Sequence, residues 1–216
     1  MSTLDFTTVK NIVIPDGPVK KIEIGGQTVW KAYDAEIEYL QSTGTNYIDT
    51  GIVAQENDTI LTDVMFLSMS GDNFMLGASG ISGDGGSIWM DIYANRTWYV
   101  RYGSSAPVHV AGSTGVRNSY ELRKNYFGVD GTKKLTPNFA GMPSRNLFLM
   151  GRNRATPDGG IGRLYRASIV RNGTPIIDFI PVRIGTTGYL YDKIQGKLYG
   201  NAGTGNFTLG PDVNVL

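Results

Sequence analysis

The sequence predicts an all-β protein, an antiparallel two-sheet sandwich with a small N-terminal β-hairpin extension. Three observations carry that expectation. Glycine is abundant, with 29 residues among 216, and only 18% of the chain is charged. Strand-length runs recur between Gly, Asn, Asp and Pro punctuation, the signature of many short strands joined by tight turns. No segment holds a helical period for three turns, and each glycine inside a helix would cost about 1 kcal/mol relative to alanine. The runs show no alternation with helices, so an antiparallel arrangement follows.

Taken in order, the runs 19–24 and 27–31 flank Gly25-Gly26 and read as a hairpin, since glycine adopts positive φ without strain. Trp30 is expected to cover an apolar seam where this unit meets the next, and 32–35 reads as a short linker. The chain therefore divides into 1–33, an arm and hairpin read as an attachment piece, and 34–216, the sandwich. Within the sandwich, 37–40 and 47–52 flank a turn at 42–45. The runs 59–69 and 72–78 follow, and then a glycine-dense loop at 79–87. The runs 87–94 and 97–103 form a hairpin around Asn95-Arg96. Next come 120–122, 126–129 and 133–135, with Asp130-Gly131 as a turn signal. The runs 146–150, 163–171, 176–182, 188–192 and 197–199 complete the count, with a polar loop at 151–160. Phe179 is expected in the core, and Pro181 is expected to end pairing or lie on an edge. Tyr189, Tyr191 and Tyr199 should pack their rings and find partners for their hydroxyls. The stretch 200–205 has the residues for a turn that folds the C-terminal strand back.

Composition excludes several function classes. Without cysteine there is no disulfide and no thiolate metal site. A chain of this length buries roughly 70% of its unfolded surface and needs no staple. Lys and Arg number 20 against 19 Asp and Glu, which gives no footprint for nucleic acid. The N-terminus MSTLDFTTVKN has no signal-peptide pattern, and no apolar stretch is long enough to span a bilayer. The expectation is a soluble chain made in the cytoplasm, without membrane insertion, that reaches the outside only as part of a particle or by a non-standard route.

Candidate chemistry centres on the aromatic hairpin. Sugar rings stack their C–H faces on aromatic planes while Asp, Asn and Arg bond the hydroxyls. Trp89, Asp91, Tyr93, Asn95, Arg96, Trp98 and Arg101 could supply that mixture, and they are the candidate glycan-binding residues. Alternation places Trp89, Asp91 and Tyr93 on one face, with Met90 and Ile92 on the other. On the return strand Trp98, Val100 and Tyr102 share a face opposite Tyr99 and Arg101. The same aromatics would equally fill a sandwich interior, and the sequence leaves both readings open.

No catalytic residue is assigned. Glu36 and Glu38 have the parity of a glycosidase carboxylate pair, yet Leu40 and Gln41 stand where a third acid would fall, and they read as rim carboxylates. His109 is the sole histidine, with no nucleophile elbow to serve. No cofactor and no metal are expected. Calcium could find oxygens in the loops 83–86 and 156–159, but Asp-Gly is first a turn signal. Arg145, Arg152, Arg154, Arg163 and Arg166 form a basic cluster in sequence, either a solvated rim or a dock for an acidic glycan.

Two stretches resemble a known family. IEYLQSTGTNYIDTGI (37–52) opens, and GRLYRASIVRNGTPIIDFIPVR (162–183) with GYLYDKIQGKLYGNAGTGNFTLGP (188–211) closes, in the manner of concanavalin A-like, laminin G-like jelly-roll domains. Between them FMLGA, SYEL, VDGTK and NLFLMGRN follow the family's order, so the resemblance covers 36–211. VKKIEIGGQTVWK (19–31) is similar to a short hairpin placed ahead of such domains in phage structural and tail proteins. The resemblance implies a jelly roll whose ligands lie on the concave face or edge loops, and it fixes no ligand residues. It points to a non-enzymatic phage virion protein, a tail-fibre or capsid-decoration component that binds host surface polysaccharide. Its partners would be other virion proteins through the N-terminal region and further copies of itself, a trimer by analogy. The alternative is a carbohydrate-binding module or glycoside hydrolase-like protein of a gut bacterium.

Overall fold

A computed structural model describes residues 12–14, 17–68, 72–80, 86–93, 97–104 and 107–215. Among the described residues the regular structure is strand, and no helix is long and apolar enough to cross a membrane. Two sheets face each other. The smaller has six strands in the order Val108–Ala111, Thr97–Ser104, Ser87–Tyr93, Asn73–Ala78, Asn146–Leu149 and Ile48–Val53. The larger runs Thr132–Leu135, Tyr126–Val129, Arg117–Arg123, Asp58–Phe66, Ile161–Arg171, Thr174–Ile184, Thr187–Asp192 and Lys197–Tyr199. Four short strands, Ala35–Ile37, Leu40–Thr43, Thr208–Leu209 and Asp212–Val215, attach beside this path.

Strand alternation builds the core. Along Asp58–Phe66 the even-numbered positions are buried and the odd ones are not, the period of a half-buried strand. Ile60, Val64, Leu122, Leu164, Ile169 and Phe179 of the larger sheet share one apolar cluster with Leu76, Met90, Ile92, Val100 and Tyr102 of the smaller. Charged groups are buried as well, Asp58 and Asp192 among them. Asp58 is held by Arg171 at 2.8 and 2.9 Å, and Tyr102 donates to the Asp58 carbonyl at 2.6 Å. These bonds tie the rim of one sheet to the middle of the other.

The turn glycines behave as expected. Gly25 and Gly26 have φ of 59° and 77°, the doubly positive geometry of a tight hairpin. The strands Lys21–Ile24 and Gln27–Lys31 pair across them. Trp30 does cover a seam: with Ala32 and Tyr33 it packs against Val182 and Tyr191 on the outer side of the larger sheet. The stretch 200–205 likewise turns the chain back, so that Phe207 enters the core and Leu209 pairs with Leu40.

Three expectations are corrected. The run 37–40 is broken at Glu38-Tyr39, because the returning C-terminal segment bonds there, Gly210 N–H to Tyr39 and Glu38 N–H to Pro211. Pro181 neither ends a strand nor lies on an edge. It pairs with Leu190 on one side, while on the other the neighbour changes: Phe179 pairs with Ala167, and Val182 with Glu36. Proline sits at the changeover, where a missing N–H breaks no ladder. Tyr199 donates to Gln195 at 3.3 Å, but the Tyr191 hydroxyl is buried without a partner among the described residues. Two edge strands, Val108–Ala111 and Asp212–Val215, carried no sequence signal strong enough to be predicted.

Candidate functional site

The hairpin Ser87–Tyr93 and Thr97–Ser104 pairs Trp89 with Arg101, Asp91 with Tyr99 and Tyr93 with Thr97. Its two faces part as alternation requires. Met90, Ile92, Val100 and Tyr102 enter the core, and Trp89, Asp91, Tyr93, Tyr99 and Arg101 lie on the outer face of the smaller sheet. Trp98 is the correction. It is 5% exposed and packs edge-on against Tyr120 at 5.6 Å and Phe127 at 6.1 Å, inside the sandwich. Trp98 and Arg101 are an odd number of residues apart, so one strand cannot point both to one face. Asn95 and Arg96 lie outside the described residues.

On the outer face a cavity of about 340 Å³ is lined by Asp72, Phe74, Trp89, Asp91, Tyr93, Tyr99 and Arg152. Trp89 supplies a wall rather than a platform. It is 8% exposed, and the Arg101 guanidinium lies over its ring at 4.0 Å, a cation–π contact. The open aromatic surface belongs to two tyrosines. Tyr93 is 41% exposed and meets Tyr99 edge to face at 5.6 Å, and His109 of the edge strand stacks on Tyr99 at 5.3 Å.

Asp91 is the polar centre. It is 4% exposed, and its Oδ1 accepts the Asn73 backbone N–H at 3.0 Å. Burial pushes its carboxyl up to about 6; the Asn73 N–H works against that shift, Asp72 adds to it, and Arg152 opposes it. A register shift between Met90 and Asp91 on the Asn73–Ala78 side re-aims the carboxyl, as bulges do. Asn73 itself is fixed by both ends of its amide, donating to Ser68 O at 2.7 Å and accepting from Ile161 N–H at 2.5 Å.

Arg152 closes one side. It donates to Asp158 at 3.1 Å and lies over the Phe74 ring at 3.8 Å. Gly77 makes room for it, because a Cβ there would sit 3.0 Å from Trp89 Cβ and 3.1 Å from Arg152 Cγ. Phe74 was missed as a site residue, and Arg152, named only within the late basic cluster, was not placed beside the hairpin, since both come from strands remote in sequence and no local period reveals them. Tyr99 was placed correctly opposite Trp98, and its partnership with Asp91 followed only from the register.

The late arginines do not form one cluster. Arg152 and Arg154 both hold Asp158, Arg163 donates to Gln41 and Arg166 to Asp178. The Asp158 carboxylate in the 156–159 loop is thus engaged by guanidinium groups, and 83–85 of the other calcium candidate lie outside the described residues. Glu36 accepts from Lys20, Tyr33 and Asn214, so its oxygens are committed, while Glu38 is exposed beyond the strand. A second cavity of about 340 Å³ lies against the larger sheet, with Asp63, Ser119, Glu121 and Arg166 in its lining. Its charges are already matched, Asp63 by Arg117 and Ser119, Glu121 by Arg123, and Arg166 by Asp178. Asp91 has no such ion pair among the described residues, which makes its cavity the better candidate site.

Neither a family model nor a curated protein matches the chain. Among solved structures, it is similar to a proposed carbohydrate-binding protein from Bacteroides ovatus ATCC 8483, at a TM-score of 0.57 and 12% identity. The match covers 86% of this chain and 62% of that one, so the chain spans under two thirds of that protein. The likeness establishes the all-β sandwich fold.

Proposed function

We propose that the chain is a non-enzymatic glycan-binding protein that presents the outer face of its smaller sheet to surface polysaccharide. The observation that carries this reading is the cavity itself, which sets the exposed ring of Tyr93 and the half-buried ring of Tyr99 beside the Asp91 carboxyl, one oxygen of which accepts from no described group. Aromatic planes accept sugar C–H faces, and a carboxylate accepts hydroxyl protons with strong, directional bonds. The structural neighbour, itself a proposed carbohydrate-binding protein, supports the same reading. The finer assignment, to a phage virion, rests on the similarity of 19–31 to hairpins ahead of such domains in phage tail proteins. In that assignment 1–33 attaches to the particle, and a trimer multiplies weak single sites into useful avidity.

The test is binding of the purified protein to capsular and wall polysaccharides of gut bacteria, with Tyr93→Ala/Tyr99→Ala alongside. Saturable binding by the parent and its loss in the folded variant is the expected result. Binding to no surface, by a protein that still assembles, would leave only a structural virion role. One observation favours a second reading, a glycoside hydrolase: Asp72 and Asp91 line one cavity, and Asp91 holds its proton up to about pH 6, as a general acid must. Release of reducing ends from a bound polysaccharide, abolished by Asp91→Asn, would establish it.

A further inference from the structure

The charges around Asp91 do not balance. Arg152 is the cation nearest in function, and it is committed: its guanidinium donates to Asp158 and rests on Phe74. Arg101 stands against Trp89 and does not line the cavity. Asp72, exposed at the rim, adds a second carboxyl to the same space. His109 lies behind Tyr99 rather than in the cavity. Asp91 itself makes one hydrogen bond, to the Asn73 N–H, through one oxygen. Its other oxygen accepts from no described group, and the residue is 4% exposed, so water solvates it poorly. A nearly buried carboxylate with no ion-pair partner in contact is a costly arrangement. It persists where a ligand supplies the missing charge.

Around that carboxyl stand electron-rich faces. Tyr93 and Tyr99 form an edge-to-face corner at 5.6 Å, and Trp89 and Phe74 close the floor with the Arg101 and Arg152 guanidinium groups already over their rings, so the free faces are those of the tyrosine corner. Aromatic walls beside a carboxylate attract a cation twice over, through ring quadrupoles and through charge. An anionic sugar would meet two carboxyls, while Arg152 and Arg154 are held by Asp158 and Arg101 lies over Trp89 outside the cavity lining, so the late arginines do not make this an acidic-glycan site.

We propose that this cavity selects an amino sugar with a free, protonated amine, whose ammonium pairs with Asp91 and packs in the corner of Tyr93 and Tyr99. The proposal rests on the glycan-binding reading and names its ligand class. Asp72 supplies long-range attraction at the rim, and the sugar's C–H face lies along Tyr99.

The test is calorimetric titration of the intact chain with three probes near pH 6.5: a glucosamine tetramer, an N-acetylglucosamine tetramer and tetralysine. Parent, Asp91→Asn and Asp72→Asn proteins are compared, each verified as folded by near-UV circular dichroism. The glucosamine tetramer is expected to bind at least about tenfold more tightly than its N-acetylated counterpart, the worth of one charged hydrogen bond. Asp91→Asn, which keeps the acceptor for the Asn73 N–H, is expected to erase that preference, and Asp72→Asn to reduce it. If Asp91→Asn does not fold, Asp72→Asn decides the matter, because Asp72 is exposed: a reduced preference supports the amine and an unchanged one overturns it. Equal affinity for the two sugars would overturn the amine and leave a neutral-glycan site. Tetralysine binding without either sugar would replace the amino sugar by a basic peptide. Failure of all three probes, together with failure on the polysaccharide panel, would remove the glycan reading as well.

Discussion

Asp91 shows how a single carboxyl can be placed against the stability of the protein that holds it. Its folded value is about 6, against 3.8 for an ordinary aspartate, so the folded state binds its proton more tightly than the unfolded state does. Stability from this group is therefore greatest at low pH and is lost as pH rises from about 4 to about 6. Asp91→Asn should escape that loss and be more stable than the parent at pH 7 by about 3 kcal/mol. Urea midpoints of both proteins at pH 4 and pH 7 check this, and parallel curves would show that the carboxyl is well solvated. Trp98 and Tyr93 make the opposite pair. Trp98→Ala empties a core position and should cost about 3–5 kcal/mol. Tyr93→Ala acts on the open face and should stay within about 0.5 kcal/mol. Equal losses would mean that the faces of the hairpin have been misassigned.

At the scale of elements, backbone and buried charge set the tolerances. Gly103 has φ of 63°, and a Cβ there would meet the Gly141 carbonyl and the Phe139 ring. Gly25 has φ of 59° with nothing within 4 Å. Gly25→Ala should cost about 1 kcal/mol, from the left-handed backbone alone. Gly103→Ala adds the clash and should cost at least twice as much, a difference that thermal melts resolve. Arg171→Ala would leave Asp58 buried without its partner, at about 3 kcal/mol. Elements of this kind were the legible part of the sequence. Doubly glycine turns, alternation along Asp58–Phe66 and the hairpin around Asn95-Arg96 depend on neighbours in the chain, and their signals survive in a single sequence. The site was half legible. Parity placed Trp89, Asp91 and Tyr93 together, and the error at Trp98 came from keeping it in one candidate set with Arg101 although the same parity put the two on opposite faces. Phe74 and Arg152 reach the cavity through sheet order, which no local pattern encodes. Pro181 was misread for the same reason, since the changeover beside it is a property of three strands.

At the scale of the whole molecule, the N-terminal hairpin is packed onto the larger sheet through Trp30 and Tyr33 against Val182 and Tyr191. Tyr33 meets Tyr191 at 5.0 Å and donates to Glu36 at 2.8 Å. Trp30→Ala should therefore cost about 3 kcal/mol of stability in the full chain. An unchanged melting temperature would mean that 1–33 is an independent appendage. The larger sheet also brings the two ends of its own course together, with Ala35 opposite Val215 and Ile37 opposite Asp212. These strands run antiparallel and residues 35 and 215 face each other, so a pull that separates them acts along their hydrogen bonds and across the strands. The bonds then break one after another instead of all at once. If a particle holds the chain by its front and a surface drags on its C-terminal end, the pair opens like a zip under low tension. A load applied between the front of the chain and the outer face of the smaller sheet bypasses that pair and reaches the full breadth of both sheets.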